Sequence, residues 1–144
     1  MLELPRKIHD LIEGEARAAL TSGWAELRIE EGEIGPSLHL EPAKLASAPL
    51  EIFFDSDQLV ICSPGRKGMS CEFFSEDPDE ITERVRALAV AVVTGTYVER
   101  QRSTSSEIVA EWPGPDGKEK AVREALIASG YGGGTWTTLA YEPY

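Results

Sequence analysis

Apolar residues first recur along the chain at steps of three and four. Leu4, Ile8, Leu11, Ile12, Ala16, Ala19 and Leu20 fall on one stripe, which predicts an amphipathic helix. Pro5 suits its first turn, where a missing N–H costs nothing; Gly14 weakens its middle and Gly23 ends it. The period then drops to two. In Ala25 to Glu30 apolar and charged residues alternate, as on a half-buried strand. Glu31, Gly32 and Glu33 turn the chain, and Leu38 and Leu40 alternate with Ser37, His39 and Glu41 in a partner strand. Residues 42 to 49, bracketed by Pro42 and Pro49, read as a connector.

Three more strands are expected in quick succession: Leu50 to Phe54, Leu59 to Cys62 and Met69 to Phe74. Short polar or Pro-Gly turns separate them, so an antiparallel meander is the natural arrangement. Asp77, Pro78 and Glu80 then announce a helix, with Asp77 as cap, Pro78 at the first helical position and Glu80 closing a capping box. Ile81, Val85, Leu88 and Val92 mark its buried stripe. The run from Ala87 to Val93 is apolar almost all round, which predicts a central helix stopped by Gly95.

Beyond it, Tyr97 to Arg102 and Glu107 to Trp112 predict a hairpin across Ser103 to Ser106. Lys118 to Ser129 reads as a helix, with a hairpin through Asp116 and Gly117 as the competing reading. Thr135 to Tyr141 predicts a last strand. The expected architecture is a single α+β domain over residues 1–144: a curved antiparallel sheet, a five-strand meander plus a later hairpin, with helices on one face. Its order is α-βββββ-α-ββ-α-β. This order is similar in outline to that of the small acidic chaperones of bacterial type III secretion. The chain departs from that pattern in having more strands before the central helix and a strand after the last one.

Charge narrows the partners. Twenty-five acidic residues against 14 basic ones give a net charge of −11. A positive stripe for nucleic acid is hard to assemble from that balance, and an anionic membrane surface is disfavoured. A basic protein partner is compatible with it. No apolar run approaches the ~20 residues of a membrane span, and the acidic start resembles neither a secretory signal nor a transit peptide, so a cytoplasmic location is expected.

Catalytic and metal motifs are absent from the sequence. His9, His39, Cys62 and Cys71 lack the short spacings of a zinc site, and Asp55 to Asp57 lacks the Gly and Glu of a calcium loop. Cys62 and Cys71 read as small buried residues able to face each other across a hairpin. Gly130 to Gly134 follows a predicted helix instead of preceding one and lacks the Lys of a phosphate loop. No cofactor is expected, and the absence of catalytic motifs weighs against an enzyme.

The expectation is therefore a non-catalytic protein-binding module, chaperone-, immunity- or regulator-like, and a homodimer is one form it would take. Its candidate binding surface is Trp24, Arg100, Arg102, Trp112, Trp136 and Tyr141, because Trp, Tyr and Arg are common interface anchors. Two or three of the outlying aromatics are expected in the core instead. The alternatives are a small-ligand binder or enzyme with a pocket between sheet and helices, promoted by polar groups such as His39, Glu99 or Arg100, and a structural subunit of an oligomer.

Overall fold

A computed structural model describes residues 3–102, 107–115, 120–126 and 135–144. The opening stripe forms α1 (Glu3–Glu15) and a short α2 (Arg17–Thr21), interrupted at Ala16. The interruption is slight, since Ala16 N–H still donates to Ile12 O and Ala16 O accepts from Leu20 N–H, each at 2.9 Å. Leu4, Ile8 and Ile12 are buried on α1 as the stripe requires.

The meander is β1 (Ala25–Glu31), β2 (Pro36–Pro42), β3 (Leu50–Phe54), β4 (Leu59–Pro64) and β5 (Cys71–Phe74), all antiparallel and in chain order. Its register places Leu40 opposite Leu50, Ile52 opposite Cys62 and Cys62 opposite Cys71 on one face. With Leu38, Phe54 and Val60 these residues form the core with α1 and α3 (Pro78–Thr94). The side-chain period of two then assigns the other face to Glu26, Arg28, Glu30, His39, Glu41, Glu51, Phe53, Ile61 and Glu72.

Asp77 caps α3, accepting from Asp79 N–H at 3.0 Å, and Pro78 opens the helix. The capping box closes differently from expectation. Glu80 accepts from Ser75 Oγ at 2.9 Å and pairs with Arg84, while Asp77 N–H donates to Ser75 Oγ. Gly95 ends the helix at φ 75°, and a Cβ there would lie 2.8 Å from Pro143 N.

The late hairpin, β6 (Val98–Arg102) and β7 (Glu107–Pro113), grows into a second sheet ordered β8-β7-β6-β9, where β9 is Trp136–Ala140. The predicted helix over 118–129 is corrected here: its described part is strand β8 (Lys120–Leu126), paired antiparallel along all of β7. The Ala-, Leu- and Glu-rich composition favours helix by only a few tenths of a kcal/mol per residue, which seven ladder positions override. Residues 103–106, 116–119 and 127–134, which include the two predicted turns and the Gly-rich segment, lie outside the described residues. Helix α3 touches β4 and β5 of the first sheet and β7 of the second, so it joins the two. The tail completes the junction, with Tyr144 N–H donating to Val93 O and Glu142 N–H to Ala46 O. No described helix is long and apolar enough to cross a membrane.

Candidate functional site

The six candidate surface residues separate into three groups. Arg100, Arg102 and Trp136 come together on one face of the second sheet, where Arg102 is the register partner of Trp136. Both guanidinium carbons lie over the indole, at 4.6 Å from its centroid for Arg102 and 5.7 Å for Arg100. Arg100 also pairs with Glu111 at 3.1 Å. Trp24 stands apart from these, 53% exposed, with Lys44 Nζ at 5.7 Å over its ring.

Trp112 and Tyr141 offer no surface, being 4% and 6% exposed. They flank Tyr97, with ring centroids 6.0 and 5.9 Å away, in an aromatic trio that closes over Glu99. Glu99 is itself only 2% exposed. Its Oε1 accepts from Tyr97 Oη at 2.9 Å and from Tyr141 Oη at 3.3 Å, and Tyr141 Oη in turn accepts from Arg66 N–H at 3.0 Å. Oε2 is buried and finds no hydrogen-bond partner among the described residues. Burial pushes the Glu99 carboxyl above the usual carboxylate range, while the two tyrosine hydroxyls and the charge of Lys67 pull the other way. Burial also raises Tyr141, to about 12, so it donates at every physiological pH.

Two features hold this carboxylate in place. β6 pairs Glu99 with Ala110, which is small and fully buried, and with Leu139, which is 37% exposed. The chain also approaches through Gly65, at φ 75°, where a Cβ would overlap Glu99 Oε1 and stand 2.9 Å from Tyr141 Oη. Beside Glu99 lies a cavity of about 210 Å³. Lys67, Gln101, Thr137 and Thr138 supply its other polar lining, and Ile108 and Leu139 its apolar lining.

No family model, curated protein or solved structure matches this chain. The site must therefore be read from its own chemistry. Sequence reasoning named Glu99 only as a group that a pocket would promote; it singled out Lys67, with Arg66, as a hairpin-tip cation able to hold a carboxylate, and it did not single out Gly65. The available signal was the spacing of Tyr97 and Glu99, which puts both on one face of a strand.

The other titratable groups include two buried thiols and exposed ion pairs. Cys62 and Cys71 are buried and not joined in a disulfide, and burial, then the neighbouring Cys71, raise the Cys62 thiol far above reactivity. His9, Asp10 and Glu13 gather within 4.8 Å on α1 and form exposed ion pairs at 3.4 and 3.8 Å.

The outer face of the first sheet is the other feature that bears on partners. Phe53 faces Ile61 across the β3–β4 ladder, and Leu59 faces Phe74 across β4–β5. Phe74 is 62% exposed, and the other three are half-buried. Glu26, Glu30, Glu41, Glu51 and Glu72 share this face with Arg28 and His39, and Arg66, from the turn after β4, pairs with Glu41 at 3.7 Å. His39 lies 3.4 Å from Glu30 and 3.9 Å from Glu51, and Arg28 pairs with Glu30 at 3.0 Å.

Proposed function

We propose that this domain is a non-catalytic protein-binding module that docks a basic protein on the outer face of its five-stranded sheet. The observation that carries this reading is the row Phe53, Ile61, Leu59 and Phe74 set among five glutamates. Apolar side chains bordered by charge of one sign fit an interface with an apolar centre and a charged rim. The sign selects the partner. Lysine and arginine around an apolar contact meet these glutamates, whereas a second copy would set five glutamates against five, so this face disfavours the homodimer. Net charge of −11 adds long-range attraction that speeds encounter with a cation-rich surface. A cytoplasmic role as a chaperone, neutraliser or regulator is consistent with such docking.

The test compares the wild type with Phe53→Ser/Phe74→Ser in pull-downs, with zero-length carboxyl-to-amine crosslinking. The expected result is a basic protein retained by the wild type, released by salt of about 0.5 M, where screening falls below ~5 Å, and lost from the variant. Its crosslinks should map to Glu51 or Glu72. Equal recovery on the variant, or crosslinks confined to the surface around Trp24, would overturn the proposal.

A further inference from the structure

We propose that the cavity beside Glu99 binds a small aliphatic zwitterion of amino-acid type, its ammonium at Glu99 and its carboxylate at Lys67. The inference starts from an incomplete hydrogen-bond set. Oε1 of Glu99 has two tyrosine donors, whereas Oε2 has none, although the side chain is 2% exposed. Buried carboxylates normally have both oxygens satisfied, and an orphaned one on a residue that lines a cavity marks a place for a donor from outside. An ammonium brings three donors and the complementary charge.

The opposite charge of the cavity restricts the ligand further. Lys67 is exposed and is the one cation among the described lining residues, where it balances the charge of Glu99. A simple amine would pair with Glu99 but meet Lys67 as a like charge, and a simple acid would meet the reverse. A zwitterion satisfies both ends and adds no net charge. Gln101 and Thr137, on the same strand face as Glu99, offer hydrogen bonds along the way, and Ile108 and Leu139 offer an apolar wall for a short aliphatic side chain. At about 210 Å³ the space is smaller than the ~300–1,000 Å³ of sites for drug-sized molecules, which limits the ligand to about ten non-hydrogen atoms. The site is separate from the outer face of the first sheet, so the two proposals stand or fall independently.

The experiment measures thermal shift and isothermal titration at pH 7 with glycine, alanine, valine, leucine and isoleucine, each alone. Isopentylamine and 4-methylpentanoate serve as half-ligands sharing leucine's aliphatic body. At least one branched amino acid is expected to raise the melting temperature by about 2–4 °C at saturation, with both half-ligands far weaker. Leu139→Trp, which fills the cavity from a partly exposed strand position, is expected to abolish the shift while still melting cooperatively. Lys67→Ala is expected to weaken the amino acid at least tenfold and to leave isopentylamine unweakened. No response to any of the five, a response that survives Leu139→Trp, or isopentylamine binding as tightly as the amino acid would each overturn the proposal.

Discussion

Glu99→Gln is expected to stabilise the protein at pH 8 and to have almost no effect at pH 4. The carboxylate sits at 2% exposure with Oε2 bare, and only Oε1 receives the hydroxyls of Tyr97 and Tyr141. Glutamine keeps the Oε1 acceptor and replaces a buried charge by a neutral amide of the same size. An unsatisfied buried group costs about 1–3 kcal/mol, more when charged, and the replacement recovers about that much. The pH dependence follows from the raised pKa. Below the unfolded pKa, near 4.5, the side chain is neutral in both states and carries no penalty. Above it the unfolded chain ionises first, and stability falls by up to ~1.4 kcal/mol per pH unit until the folded carboxyl also ionises. Glu99 therefore favours folding at low pH and opposes it as pH rises, and glutamine removes the opposition. Denaturant melts of both proteins at pH 4, 6 and 8 should show a gap that opens with pH. Wild type more stable than the variant at pH 8, or a gap equal at pH 4 and 8, would refute the reasoning by showing that the carboxylate is compensated in the fold.

Other expectations follow from the same geometry. Gly65→Ala should cost about 2 kcal/mol or more, from the left-handed backbone and from overlap with Glu99 Oε1. Its cost in a Glu99→Ala background should be smaller, and strict additivity in chemical melts would show that the two positions do not touch. Asp77→Ala removes the cap of α3 and should cost about 1 kcal/mol, read as a lowered melting temperature; no change would mean that Ser75 and Glu80 hold that helix end alone. Cys62 and Cys71 should react with a thiol reagent only after unfolding, and rapid native-state labelling would contradict their burial.

Helices α1 and α3 and the five-strand meander were legible because each carries a full local signature: a period, a boundary residue and a turn. The register that sets Cys62 opposite Cys71 was left open by the sequence, because the loop from Gly65 to Ser70 is too long for its turn chemistry alone to fix the pairing. The second sheet was legible as the β6–β7 hairpin, while the β7–β8 pairing stood only as the competing hairpin reading through Asp116 and Gly117. Its strand β8 has helix-forming residues, and its ladder with β7 is a tertiary gain that no local window contains. Strand β9 was recognisable as a strand, yet its pairing with β6, some 35 positions earlier, is a long-range choice.

The candidate sites divide along the same line. Arg100 and Arg102 share a face by the period of two, and the sequence therefore shows their alignment; that Trp136 stacks on both depends on β9 docking beside β6. Tyr97 and Glu99 share the other face by the same period, so an inward acid was inferable. Whether that acid is satisfied was not, because its second donor, Tyr141, arrives 42 residues later and the glycine that admits it, Gly65, comes from the first sheet. Each partner looks ordinary in its own segment: a tyrosine near the C-terminal end, a glycine in a Pro-Gly turn, a lysine at a loop tip. The unusual property, a buried carboxylate with one oxygen satisfied and one bare beside a cavity, exists only where three distant segments meet. A sequence can announce which face a charge takes; the number of its partners is decided by the tertiary contacts that period and propensity leave open.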